Sequence, residues 1–192
     1  MLKKVEKPAR YIGGEVNSIK KDPEKVSVRM GFAFPDTYEI GMSYMGLQIL
    51  YNILNKNDDI YCERVFAPAM DMEELMRECG RELFTLETFT PVKELDILGF
   101  TLQYELSYTN VLNMLQLGNI PLMSCDRGEE HPVIIAGGPC AYNPEPLADF
   151  IDAFLIGDGE ELLEQVCIAK KDASSKEEFL KKISAYDGVY VP

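Results

Sequence analysis

The feature that most constrains this chain is an alternation of two periodicities. From residue 26 onward, short β-rich apolar runs are each followed by stretches whose apolar residues recur every three or four positions. That is the pattern of strand–helix–strand units crossing over on a parallel sheet. Runs at 26–34 (VSVRMGFAF), 61–66, 95–102 (LDILGFTL), 133–136 and 153–156 predict five strands. After the first, Met42, Met45, Ile49, Leu50, Ile53 and Leu54 mark one face of a helix. Asp71, with Glu74 three residues on, predicts the N-terminal cap of a short helix reaching about Cys79. Tyr104, Tyr108, Val111, Leu112 and Leu115 predict a helix closed at Gly118, and Leu162, Leu163, Val166 and Ala169 predict another. A short extra strand at 83–87 and a last helix at 178–186 complete the reading. That last helix is capped from Ser174-Ser175 and is polar enough to lie at the surface or lead elsewhere.

The chain has 192 residues, and at ~100–200 residues per domain that length predicts one folded unit. The division read from it is an N-terminal arm at 1–25, an α/β domain at 26–172, and a C-terminal helix and linker at 173–192. The net charge is −13, yet the arm carries seven basic and four acidic residues, so the remainder stands at −16. Such a surface repels phosphate backbones and anionic lipid, which argues against nucleic acid and membrane as partners. The arm reads as a solvated tail. No apolar stretch approaches a membrane span and no signal-peptide core follows Met1, so the expected location is the cytoplasm. Cys62, Cys79, Cys125, Cys140 and Cys167 are odd in number and widely spaced. They fit neither a disulfide framework nor a Cys-x-x-Cys metal site and read as reduced, mostly packed thiols.

In an open α/β sheet the ligand site lies outside the carboxyl ends of the strands, where strand order reverses. The five predicted ends are Pro35-Asp36, Ala67-Pro68, Thr101-Leu102-Gln103, Gly137-Gly138-Pro139 and Gly157-Asp158-Gly159-Glu160. Gly137-Gly138 is either a tight turn or a place where backbone lies against a ligand. Gly157-Asp158-Gly159-Glu160 opens a helix whose free N–H groups suit an acceptor. The carboxylates of Asp158, Glu160 and Glu161 already satisfy that helix dipole, so a neutral, amide-rich group fits better than a phosphate. Neither a G-x-G-x-x-G after the first strand nor a P-loop is present. His131 is the single histidine, which excludes a multi-histidine metal site, and a surface role is the simpler reading for it. Asp36 and Glu39 read as rim carboxylates; the nine Met and ten Tyr read as core and rim packing.

Taken in order, these strand-end motifs resemble the cobalamin-binding domain that precedes the catalytic domain of many radical S-adenosylmethionine enzymes. Relatives in that family carry D-x-H-x-x-G after the first strand, Ser-x-Leu at the third, Gly-Gly after the fourth and a Gly-Glu-Gly-Glu-like turn after the fifth. The matching stretches here are Asp36-Thr37-Tyr38-Glu39-Ile40-Gly41, Thr101-Leu102-Gln103, Gly137-Gly138 and Gly157-Asp158-Gly159-Glu160. Longer blocks, among them FPDTYEIGMSYMGLQILYNILN and AGGPCAYNPEPLADFIDAFLIGDGEE, resemble one subgroup of these proteins over about residues 7–192.

The resemblance implies a flavodoxin-like, three-layer α/β fold with a five-stranded, mainly parallel sheet. It implies cobalamin as cofactor, with Thr101, Gly137, Gly138, Gly157 and Gly159 at the nucleotide tail and side amides, and Asp36, Tyr38 and Gly41 near the lower face of the metal. Tyr38 stands where the family's axial histidine would be, and a phenol with a pKa near ~10 replaces imidazole poorly, so no histidine ligation is expected. The distance from Thr101 to Gly137 is also longer than the motif leads one to expect. No Cys-x-x-x-Cys-x-x-Cys occurs, so this chain alone cannot hold the 4Fe–4S cluster that cleaves S-adenosylmethionine. Cluster and S-adenosylmethionine are expected only in a full-length protein, whose C-terminal radical S-adenosylmethionine domain is the expected partner in cis. Two alternatives stand beside this reading. One is a degenerate domain without cofactor that docks or recruits a substrate; the other is a flavin or nucleotide binder of flavodoxin type.

Overall fold

The computed structural model describes residues 2–192. Its centre is a six-stranded sheet in the order β2-β1-β3-β4-β5-β6, formed by β1 (Val28–Phe34), β2 (Ile60–Phe66), β3 (Ile97–Thr101), β4 (Val133–Gly137), β5 (Ala153–Leu155) and β6 (Val189–Tyr190). The first five are parallel and β6 runs antiparallel to β5. Among the described residues six α-helices accompany them: α1 (Tyr38–Ser43), α2 (Met45–Lys56), α3 (Met70–Cys79), α4 (Tyr108–Leu117), α5 (Gly159–Asp172) and α6 (Lys176–Ile183).

Alternate residues of each strand face opposite layers. Ala33, Val65, Leu98, Ile134 and Phe154 pack under α3 and α4 through Met72, Met76, Val111 and Leu115. Met30, Phe32, Cys62, Ile135 and Leu155 pack under α2, α5 and α6 through Leu47, Tyr51, Val166 and Phe179. With both faces covered, the central strands carry near-continuous apolar runs, and this is why the sequence shows them so clearly.

Four expectations need correction. The sheet has six strands rather than five. Two residues are too short for any sequence period, and β6 exists because α6 returns the chain to β5. Gly188, at φ +83°, allows this: its carbonyl accepts from the Ile156 N–H at 2.7 Å, and a Cβ there would stand 2.6 Å from the Ile156 carbonyl oxygen. Residues 83–87 form no sheet strand, only an isolated bridge between Phe84 and Pro91. The cap at Asp71 is absent, since α3 begins at Met70 after Ala69; Asp71 Oδ2 instead accepts from the Glu6 N–H at 2.7 Å. Finally, α6 is not a surface appendage. It begins where the Ser175 side chain accepts from the Glu178 N–H, as expected, but it buries Phe179 and Ile183 in the core.

The arm is not a solvated tail either. Val5 is buried, and Ile19 packs on the α2 side of the sheet. Lys21 Nζ donates to the carbonyls of Asn57 and Ile60, each at 2.6 Å. The arm runs beside the edge strand β2, whose outward polar groups are closed by side chains. Asn55 bridges the N–H and C=O of Cys62, and the Glu87 carboxylate accepts from the Arg64 N–H. A strand edge treated this way offers little to a pairing strand from another molecule.

Candidate functional site

Strand order reverses between β1 and β3, and a cleft of about 200 Å³ opens at the strand ends there. Its floor is apolar, formed by Met30, Phe32, Ile135 and Leu155 from the sheet, Leu50 from α2 and Leu163 from α5. Its mouth carries Thr101, Gln103, Gly137, Gly138, Gly157, Asp158, Gly159 and Glu160. No lysine, arginine or histidine lines it among the described residues. An apolar floor, backbone amides and two carboxylates make a site for an uncharged or cationic flat group rather than for a phosphate.

Thr101, Gly137, Gly138, Gly157 and Gly159 are therefore brought together in space. Thr101 Oγ1 accepts a 2.6 Å hydrogen bond from Gln103 Nε2, which orients both side chains. Gly138 has φ +99°, and a Cβ there would lie 2.8 Å from the Leu102 carbonyl oxygen. That oxygen accepts from the Cys140 N–H at 3.1 Å, so this glycine serves the turn by which the β4 loop closes on the β3 loop. Gly157 has φ +113° and faces open space. Tyr44 and Gln103 were not among the predicted site residues. Tyr44 sits in the single-residue break between α1 and α2, with its ring over Gly46 at the cleft wall. Gln103 lay inside the quoted Thr101-Leu102-Gln103 motif, and the spare hydrogen-bonding groups of its amide were the available signal.

Asp36, Tyr38 and Gly41 lie outside the cleft lining. Asp36 joins three loops: its Oδ1 accepts from the Thr37 N–H at 2.7 Å, its Oδ2 from the Tyr104 hydroxyl at 3.1 Å, and its carbonyl from the Ala67 N–H at 3.0 Å. The Tyr38 hydroxyl donates to Glu15 Oε1 at 3.1 Å, and its ring meets Phe66 edge-on with centroids 5.6 Å apart. Burial, followed by the Glu15 charge, pushes the Tyr38 phenol above its ordinary pKa, so it stays protonated. Gly41 is buried where any Cβ would collide with the Phe66 ring. Beside them, the Arg10 guanidinium and Lys7 pair with Glu39, and the hydrogen bond from Arg10 draws the Glu39 carboxyl down to about 2.

A buried ionic cluster on β2 lies outside the residues expected from the sequence. Arg64 is fully buried; its Nε donates to Glu87 Oε1 at 2.7 Å, its Nη2 to Ser18 Oγ at 2.8 Å, and its guanidinium stacks 4.5 Å from the Tyr51 ring centroid. On the other face Glu63 accepts from Arg29 Nη2 at 2.6 Å and from Thr85 Oγ1 at 2.9 Å. The signal was present as adjacent opposite charges, Glu63-Arg64, inside an otherwise apolar run. At the opposite rim Asp152 accepts from the Ile134 N–H and pairs with Arg127 and Lys176, joining β4 and β5 to α6. His131 also lies there, just before β4.

Among the described residues, no group of three or more His, Cys, Asp or Glu is placed to hold a metal ion, and no helix is long and apolar enough to cross a membrane. All five cysteines are free thiols, and three of them are packed, Cys62 and Cys167 buried and Cys140 half-buried, while Cys79 and Cys125 are exposed.

A family described as "Radical SAM proteins, N-terminal" matches residues 46–192. An uncharacterized protein of Methanocaldococcus jannaschii is 24% identical over 137 residues, covering 71% of this chain and 25% of that protein. The chain thus spans about a quarter of the length of this curated relative. No solved structure matches it.

Proposed function

The chain belongs to the family of N-terminal regions of radical S-adenosylmethionine proteins, and from that premise we propose that it is a flavodoxin-like, cobalamin-binding-like domain. In this reading it receives the base of a corrinoid's nucleotide tail and presents the ring, without a histidine below the metal, to a catalytic domain of the same polypeptide. S-adenosylmethionine and a 4Fe–4S cluster would act in that second domain.

One observation carries the reading. Thr101, Gly137, Gly138, Gly157 and Gly159, drawn from three separate strand ends, border one cleft at the β1/β3 switch. The order β2-β1-β3-β4-β5 is the doubly wound order of flavodoxin-like sheets, which supports the fold assignment. The apolar floor and cation-free mouth suit an uncharged fused-ring base, and a cleft of about 200 Å³ holds such a group while leaving a macrocycle outside. Thr101, Gln103 and the backbone of the glycines would orient it by hydrogen bonds. Asp36, Tyr38 and Gly41 take a supporting part, holding the neighbouring loop through Tyr104, Glu15 and Phe66. When bound, the cofactor supplies a metal centre able to carry a methyl group or take part in a radical step.

A second reading, a domain that docks without a cofactor, is favoured by the size of the cleft, which falls below the ~300–1,000 Å³ of usual small-molecule sites. The test is incubation with hydroxocobalamin, gel filtration, and a visible spectrum with a cobalt-to-protein ratio. Near-stoichiometric cobalt without a histidine-bound spectrum is the expected result. A colourless protein, both as this chain and with its catalytic domain, would overturn the proposal in favour of docking, and a yellow preparation would point to a flavin.

A further inference from the structure

Outside the cleft, a groove of about 300 Å³ opens between the arm, α3 and the segment 81–89. Leu2, Tyr11 and Ile12 of the arm, Met72 of α3, and Phe84 and Phe89 form its walls, and it shares no lining residue with the cleft. Leu2, Ile12 and Phe89 are 37%, 54% and 41% exposed. Arg81 completes the lining, and no carboxylate lines the groove among the described residues.

Phe89 has φ +61°, a conformation uncommon for any side chain and strained for a bulky one. The loop around it enforces that conformation. The Phe89 N–H donates to the Thr85 carbonyl, the Thr90 N–H to Thr85 Oγ1 and the Thr88 N–H to Oε1 of the buried Glu63, each at 3.1 Å. Glycine would follow this path without strain, and burial does not offset the strain of a ring left partly exposed. What phenylalanine adds is an aromatic face beside the Phe84 ring, with centroids 6.0 Å apart. The arm meets this loop through Gly13, at φ +62°, where a Cβ would stand 2.5 Å from the Leu86 carbonyl oxygen. That close approach lets Ile12 share the groove with Phe89.

Charge selects the occupant. Arg81 is exposed, with its guanidinium 4.5 Å from the Phe84 ring centroid, and it enters no ion pair among the described residues. Lys3 and Lys4, next to Leu2, are likewise exposed and outside any ion pair among the described residues. On a chain of net charge −13 this is a local reversal of sign. A guanidinium stacked on a ring keeps its donors for a carboxylate, and aromatic residues with arginine are enriched where proteins meet.

We infer that this groove is a docking site for an acidic peptide segment of a partner protein, which seats an apolar side chain between Phe89 and Ile12 and places a carboxylate on Arg81. The inference holds whether or not the cleft takes a cofactor.

The test is selection of a random heptapeptide display library on the full-length polypeptide, followed by fluorescence anisotropy with a synthetic peptide of the enriched consensus. The consensus should place Asp or Glu beside a large apolar residue, and its affinity should fall as salt rises. Arg81→Glu and Phe89→Gly should each weaken binding about tenfold or more. Ile168→Asp, at an exposed apolar position on α5, should leave it unchanged. Phe89→Gly should also keep or raise the urea midpoint, because it relieves the left-handed strain. A lower midpoint would show that the ring serves the fold and would overturn the inference. So would a failure to enrich any peptide, a consensus without acidic residues, or equal binding to Phe89→Gly. A peptide that binds the 192-residue chain but not the full-length polypeptide would give the groove to another part of the same protein and would overturn it as well.

Discussion

The two halves of the strand-end rim are built on opposite plans. On the β3–β5 half the chain spends glycine and backbone: Gly137, Gly138, Gly157 and Gly159 leave a cleft whose walls are amides and apolar side chains. On the β1–β2 half most of the space is filled, leaving a cavity of about 30 Å³ among Tyr38, Arg64, Phe66 and Pro68. The Phe66 ring covers Gly41, Tyr38 packs on that ring and bonds Glu15, and behind them Arg64 is enclosed by Glu87, Ser18 and Tyr51. The same topology thus yields an open site on one side and a closed, ionically fastened edge on the other. In the family this chain resembles, the histidine ligand belongs to the loop that here lies on the closed half. Here Tyr38 braces its loop against Phe66 and Glu15.

The largest test of this contrast is Arg64→Met. It leaves Glu87, together with the nearby Glu15, without its buried partner, and removing one member of a buried pair costs about 3–5 kcal/mol. The urea midpoint should fall accordingly. The replacement of both charges, Arg64→Met with Glu87→Leu, should recover much of the loss, because matched apolar groups carry no desolvation cost. If the single variant is as stable as the parent, the closed half is not fastened by this cluster.

A smaller effect separates two glycines of the open half. Gly138→Ala forces a Cβ to 2.8 Å from the Leu102 carbonyl oxygen at φ +99°, and should cost about 1–3 kcal/mol through strain at the turn. Gly157→Ala meets nothing within 4 Å, so only its positive φ is opposed, and about 1 kcal/mol is expected. Thermal or urea unfolding of the pair reads the difference directly. Equal losses would mean that the contact between the β3 and β4 loops relaxes freely.

The smallest effect is electrostatic. Glu39 has its folded-state pKa depressed from 4.5 to about 2 by Arg10, so its contribution is present above about 4.5 and is lost as the pH falls toward 2. Because the pair is exposed, that contribution is modest and screened by salt. Glu39→Gln should leave the urea midpoint at pH 6 nearly unchanged in 0.5 M salt and flatten its fall between pH 4.5 and pH 3. A slope identical to the parent's would show that the arm is held on α1 without this pair.

Legibility followed physical locality. β1 and β3 were readable because strands buried on both faces write near-continuous apolar runs, broken in β1 only by Arg29, and the start of α6 was readable because Ser175 caps within its own turn. Met45, Ile49, Leu50 and Leu54 announced α2 by spacing alone, although two of them proved exposed: Met45 and Ile49 face the rim rather than the core. Thr101 and the four glycines were legible as strand ends, since chain order along a parallel sheet places every such end on one side. The direction of Tyr38 was not legible. Glu15 is 23 residues away in sequence, and nothing local states that the arm returns to meet it.

The amino-acid sequence by itself determined strands β1 to β5 and the main helices, their alternation along the chain, the net negative charge and the collection of glycine at the strand ends. All of these follow from interactions within about one turn or one strand. Tertiary structure alone decided that β6 closes the sheet, that Arg64 is buried against Glu87, that the arm seals the β2 edge, and that the β3–β5 half of the rim keeps a cleft of about 200 Å³ where the β1–β2 half keeps about 30 Å³. Each depends on groups distant in sequence, and whether such groups meet is settled by the packing of the whole chain.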